Sequence, residues 1–446
     1  MQRVSVGFVQ NVTRITLAAR HARTRGLECF EGPAYRCRVS AMEEEAPARR
    51  PRLVLPLASA AVLVAFSSGG LGMFIQLFLA NERGASPFLI SAVSSLGSVG
   101  VLVGSYFWGR LSDRAGRRLF LIITAAGVAA SIAVLIPLPG NEVIVATAFA
   151  RAFMDIGFAS MSLAMISAAS GSAGRARGMS YNSSARSLGF ALGAMAAGVL
   201  LEKLGYRSGF AVMAVLPMIG AALLIRLPSE EAPVAQPRQG AWRALREAGL
   251  TRLYVATILR QFGANGAFAL LYVYMDGLGI SPILMGTVSS LNTLTQVVAL
   301  VAFGWLADRV GRQRVFLFGF GMATLLPCVL AASRNVAMMA LSYVILGISF
   351  SSLYIGSTAH IGDRVPLERQ GPMLGLFEMA RGLGGLLGPL LAGALVPAVG
   401  FQGMFLSMAG VSGVGFFLVL NERFPFPGHG APKPDVPPAA VDGGST

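Results

Sequence analysis

The chain has 446 residues, of which 54% are hydrophobic and 13% charged, with a mean hydropathy of +0.65. Soluble proteins carry about 25% charged residues, so a soluble globular enzyme is excluded. The net charge of +15 does not indicate nucleic-acid binding, because the arginines stand between apolar blocks and near the N-terminus rather than on one face of a folded domain.

In chain order, residues 1–51 read as a cytoplasmic N-terminal tail, arginine-rich and without the apolar run of a signal peptide. Met42 opens a short lead-in, so residues 1–41 are either a mis-called start or a disordered tail. Cys29 and Cys37 lie in that tail and Cys328 in an apolar block, a pattern that forms neither a disulfide framework nor a metal site. Twelve apolar blocks follow, each about the length that crosses a bilayer as a helix: 55–80, 87–109, 119–138, 143–168, 179–200, 208–227, 252–275, 283–306, 315–332, 336–360, 373–397 and 402–421. The first six form an N-terminal half, 52–227, and the last six a C-terminal half, 251–422. Between them, 228–250 holds Pro228, Pro233 and Pro237 and reads as a cytoplasmic linker. Residues 423–446 are rich in Pro and Gly and read as a disordered cytoplasmic tail. The expected class is therefore an all-α membrane protein of twelve transmembrane helices.

Arginine accumulates in alternate loops, which fixes the expected orientation, because basic residues collect on the cytoplasmic side. The loops after blocks 2, 4, 6, 8 and 10 hold Arg110, Arg114, Arg117 and Arg118, then Arg175 and Arg177, then Arg238, Arg243 and Arg246, then Arg309, Arg312 and Arg314, then Arg364 and Arg369. The opposite loops hold only Arg83, Lys203, Arg207 and Arg334. Both termini are expected in the cytoplasm of a cell with the chain in its plasma (inner) membrane.

An internal repeat organises the chain. GRLSDRAGRR at 109–118 recurs as GWLADRVGRQ at 304–313, and one constant shift also maps Ser86-Pro87 onto Ser281-Pro282, Arg186 onto Arg381, Gly189 onto Gly384, Gly193 onto Gly388 and Gly205 onto Gly400. Six blocks repeated in the same sense imply two parallel six-helix bundles related by an axis along the membrane normal. These residues resemble the major facilitator superfamily of secondary transporters over about 52–422. The resemblance is carried by Gly109, Asp113, Arg114, Gly116 and Arg117, with a second copy in Gly304, Asp308, Arg309, Gly311 and Arg312. It implies that these residues form gating loops, that Asp113 holds the cytoplasmic side shut in the outward-facing state, and that the two halves rock about a site near the midplane.

Ionisable residues at bilayer depth cost about 2.5–3.5 kcal/mol each and therefore mark partners or functional sites. Arg151 and Asp155 lie four apart in block 4 and share a helix face. Arg260, followed by Gln261 and Asn265, lies in block 7, and Glu378 and Arg381 lie three apart in block 11. The resemblance places Arg151, Asp155, Arg260 and Asn265 along the transport path. Asp155 stands where the family has a glycine, which makes it the first candidate for a coupling proton site. Asn292, Thr293 and Gln296 read as residues that glue helices. Gly189, Gly193, Gly384, Gly388 and Pro389 form a small-residue pattern for close packing of blocks 5 and 11. That pattern leans toward export in the family it resembles, although block 5 lacks the proline.

The expected function is secondary transport of a small-molecule substrate by alternating access: proton-coupled efflux of hydrophobic or cationic compounds, with protons and membrane lipid as partners, no nucleic acid, and a monomer as the working unit. No phosphate loop is present to seat ATP. The alternatives are uptake or exchange of a small organic anion clamped by Arg151 and Arg260, and a non-transporting membrane sensor. An enzyme is not expected, since His21, His360 and His429 form no catalytic or metal cluster with Cys or carboxylates. No cofactor is expected.

Overall fold

In a computed structural model, residues 51–112, 117–169, 171–227, 249–365 and 367–420 are described. No strand occurs among them, as lipid requires of a chain that must satisfy every backbone polar group within its own helices. Eight helical stretches have the length and hydropathy to cross a membrane, and two of these, Tyr181–Leu224 and Gly375–Leu420, are long enough to cross twice. Two more spans complete twelve. One is the 17-residue α3 and the other is α7, which is interrupted part-way.

The first half comprises α1 (Pro51–Leu77, extended by a π-helical turn, Phe78–Glu82), α2 (Pro87–Ser112), α3 (Arg117–Ala133), α4 (Asn141–Ala169), and a helix Gly171–Leu224 that Gly205 divides into α5 and α6. The second comprises α7 (Thr251–Phe268, resuming as Leu271–Gly277), α8 (Pro282–Val310), α9 (Arg312–Ala332), α10 (Val336–Arg364), and a helix Leu367–Leu420 that Gly400 divides into α11 and α12. Gly205 (φ 71°) and Gly400 (φ 69°) take the left-handed backbone that reverses the chain without a loop, a conformation that other residues rarely adopt.

Three boundaries differ from the sequence expectation. α3 stops at Ala133 instead of running to 138, because Pro137 and Pro139 remove backbone donors and push the residues before them out of helical geometry. The arginine-bearing loops expected after blocks 4 and 10 are almost absent. Arg175, Arg177 and Arg369 sit in the first turns of α5 and α11, and Arg364 ends α10. The tail 1–50, the linker residues 228–248 and the tail 421–446 lie outside the described residues.

The expected small-residue contacts occur in both halves. On α5, a Cβ at Gly189 would stand 2.9 Å from Ala65 Cβ of α1, and one at Gly193 would strike the Phe66 backbone. On α11, a Cβ at Gly384 would stand 2.7 Å from the Phe262 nitrogen of α7, and Gly388 abuts the Phe262 backbone, with Pro389 buried beside it. The outward faces of the helices are apolar: Leu294, Val297, Val298 and Val301 of α8 are exposed, Val301 by 76%, an arrangement suited to lipid and not to water.

Candidate functional site

The gating motif begins where α2 reaches α4. The Trp108 indole donates to the Phe153 carbonyl oxygen at 2.8 Å and lies against Gly157, where any Cβ would stand 2.6 Å from the ring. Gly109 follows in the last turns of α2, and beyond the turn Arg117 Nη1 donates to the Ala164 carbonyl of α4 at 3.1 Å. Arg118 donates to the carbonyl of Ile225, just past the end of α6. The described residues flanking the motif are thus fastened to their own half on both sides. Asp113, Arg114 and Gly116 lie outside the described residues, as do the side chains of Asp308 and Arg312. In the second copy Gly304 lies within α8, and Gly311 (φ 93°) makes the turn, its N–H bonding the Ala307 carbonyl at 3.1 Å. Arg309 there stacks on Trp305, 3.6 Å from the ring centre.

Inside the spans, one of the two pairs implied by spacing forms and the other is rearranged. Asp155 meets Arg186 of α5 at 3.8 Å, whereas Arg151 Nη1 donates to Ser68 Oγ of α1 at 3.4 Å. The Asp155–Arg186 contact is incompletely satisfied: Asp155 Oδ1 and Arg186 Nη1 are both buried with no hydrogen-bond partner. Arg186 also lies 5.7 Å from the Phe190 ring centre. In the second half Arg381 Nη1 donates to both Glu378 oxygens at 2.9 Å and lies 5.5 Å over Phe350. Arg260, 7% exposed, donates to Gln261 Oε1 at 3.2 Å, and Gln261 Nε2 in turn donates to Asn265 Oδ1 at 3.3 Å. Among the described residues no carboxylate bonds Arg260.

The halves touch from mid-span, where Gly382 of α11 packs on Leu102 of α2, to the end opposite the gating motifs. There Asn81 Nδ2 donates to Asp276 Oδ2 at 3.1 Å, between two residues 195 apart and so equivalent in the repeat. The Gln76 side chain donates to the Phe268 carbonyl at 3.4 Å and accepts from the Tyr272 N–H at 3.2 Å, satisfying the backbone groups that the break in α7 leaves free. Glu202 accepts from the Ile283 N–H, Gly198 packs on Pro282, and Gly393 packs on Phe88. Among the described residues, no hydrogen bond joins the halves at the motif end.

A cavity of about 350 Å³ lies between the halves, walled by Phe190 and Ser187 of α5, Phe268 and Tyr272 of α7, Asn292 and Gln296 of α8, with Tyr343 of α10. A second, about 270 Å³, lies among α1, α2 and α4 and includes Gln76 and Arg151. Arg151 lines the second of these and Arg260 lines neither. The sequence reading assigned Asn292, Thr293 and Gln296 to helix glue, yet they face the cavity. A signal was available: Ser289, Asn292, Thr293 and Gln296 recur at helical spacing opposite Leu294, Val297, Val298 and Val301.

Comparison with known proteins agrees with this architecture. The Major Facilitator Superfamily profile matches residues 57–274 and 253–442. The multidrug resistance protein MdtG of Proteus mirabilis (strain HI4320) is 24% identical over 322 residues, covering 69% of this chain and 79% of that protein. The MFS-type transporter YuxJ of Bacillus subtilis (strain 168), itself uncharacterized, is 26% identical over 309 residues, 65% of this chain and 77% of that one. Among solved structures, the nucleoside transporter NupG superposes with a TM-score of 0.69 at 15% identity, covering 82% of this chain and 98% of that one. A bacterial homolog of the human lysosomal transporter Spinster, in an inward-facing and unoccupied conformation, gives 0.68 at 12% identity, covering 84% and 97%. Two parallel six-helix bundles, a cavity between them and a family profile spanning both lead to one conclusion: the chain belongs to the major facilitator superfamily and is a multi-pass membrane transporter, not an enzyme.

Proposed function

We propose that the protein exports small hydrophobic compounds across the inner membrane in exchange for protons, with the gating motifs and both chain ends in the cytoplasm. In that orientation the hydrogen bonds between the halves lie toward the outer face. The observation that carries the coupling is the Asp155–Arg186 pair, which joins α4 to α5 with one unbonded buried atom on each side. Protonation of Asp155 removes its attraction for Arg186. Arg186 borders Phe190, a wall of the central cavity, so the state of the pair is felt where cargo sits. Four arginines against two acids within the spans disfavour a cationic cargo, which narrows the expectation from hydrophobic or cationic compounds to uncharged ones.

The test is export from proteoliposomes under an imposed pH gradient. Asp155→Asn is expected to lower gradient-driven export about tenfold to a hundredfold while leaving gradient-independent exchange of cargo. Undiminished gradient-driven export in that variant overturns the coupling role. One observation favours a second reading, exchange of a small organic anion: Arg260 is buried and bonds no carboxylate. Loss of benzoate flux in Arg260→Ala would support that reading over the first.

A further inference from the structure

Among the described residues no charged side chain lines the central cavity, although charged residues occupy neighbouring turns of the helices that build it. Its walls combine aromatic rings with carboxamides. Phe268 and Tyr343 meet edge to face, their ring centres 5.5 Å apart, and Phe190 and Tyr272 complete the aromatic lining. On α8, Gln296 Nε2 donates to Asn292 Oδ1 at 2.9 Å. Each amide carries both donors and an acceptor, so this bond, between residues one turn apart on α8, leaves the Asn292 amide hydrogens and the Gln296 carbonyl oxygen unused. Both residues line the cavity.

That arrangement selects by chemistry. An ion entering the cavity loses hydration and meets no opposite charge. A purely apolar guest strips water from the two amides and returns no hydrogen bond. A flat, uncharged ring bearing an N–H beside a C=O can satisfy both amides: its N–H donates to Gln296 Oε1, its carbonyl accepts from Asn292 Nδ2, and its faces meet the aromatic walls. We infer that the cargo class is uncharged aromatic lactams and compounds with the same adjacent donor and acceptor, recognised by the Asn292–Gln296 pair. The inference rests on the export reading for the fate of the ligand but not for its recognition.

Equilibrium binding to the purified full-length protein in detergent, read by isothermal titration calorimetry, tests it with four probes of similar shape. These are carbostyril, which carries the lactam edge, its N-methyl derivative, which lacks the donor, the N-methylquinolinium cation and the anion quinaldate. Carbostyril is expected to bind about tenfold more tightly than N-methylcarbostyril, the effect of one hydrogen bond in a dry site, and both charged probes more weakly still. Gln296→Met is expected to erase the preference for carbostyril over N-methylcarbostyril. Equal affinity for the two lactams in the unaltered protein, tighter binding of either ion, or an undiminished preference in Gln296→Met overturns the inference. The first two outcomes need no variant to fold. Because binding is measured without a gradient, lactam preference without pH-driven export removes the coupling reading alone, and export without lactam preference removes this one alone.

Discussion

The same guanidinium position meets different chemistry in the two halves. Arg186 and Arg381 are repeat equivalents, and so are Asp155 and Phe350, each pair separated by the 195 residues that also separate Asn81 from Asp276. In the first half the arginine of α5 reaches across to a carboxylate on α4. In the second half the arginine of α11 meets an aromatic ring at the equivalent place on α10 and takes its counter-charge from Glu378 on its own helix. A contact between helices that depends on a proton can move those helices, whereas a ring cannot be titrated and a pair within one helix moves with it. Duplication supplied two similar bundles, and the proposed coupling role draws on the one interhelical carboxylate–arginine contact, which only the first half has among the described residues.

Four experiments break or sharpen this contrast. The largest effects come from what the halves share. Gly193→Leu and Gly388→Leu each force a side chain into the backbone of the neighbouring helix, and each is expected to cost about 3 kcal/mol or more, seen as loss of a monodisperse peak after detergent extraction. Tolerance of one but not the other denies the packing symmetry. Next is the contrast itself. Asp155→Asn should lower pH-driven export about tenfold to a hundredfold, the size of a lost charge-assisted bond, while Glu378→Gln should stay within about threefold. Equal losses would place the proton in both halves.

A smaller effect is expected where the halves meet. Asn81→Asp would set two carboxylates against each other across the pseudo-axis, a repulsion of about 1 kcal/mol in water at such a distance, and so shift the population toward opening at that end about fivefold. Electron-resonance distances between spin labels at the ends of α1 and α7 would show it. Smallest is Trp305→Ala. Its stacking with Arg309 is exposed and worth about 0.5–1 kcal/mol, so thermal stability should barely change and export should persist.

Much of the fold was legible because its signals are local. Apolar length sets each span, the constant offset of GRLSDRAGRR and GWLADRVGRQ exposes the duplication, and Gly189, Gly193, Gly384 and Gly388 announce close helix contacts. The candidate site was legible only in part. Arg151 and Asp155 share a face, but which cation Asp155 meets depends on how α4 is rotated against α5. Asn292 and Gln296 were visible as polar residues in an apolar helix, and spacing could not tell a neighbouring helix from an open cavity. The break in α7 gave no proline to announce it, and Gln76, which caps it, lies nearly two hundred residues away.

The sequence by itself determined that this is a membrane-spanning chain of twelve helices in two repeated halves, since lipid permits a twenty-residue apolar block little but a helix and a repeat little but a second bundle of the same sense. Only the tertiary structure decided which arginine holds Asp155, where the halves touch, and that the cavity between them is lined with uncharged amides and rings. Those facts turn on helix rotation and depth, which arise from packing among segments distant in sequence and leave no periodic trace within any one of them.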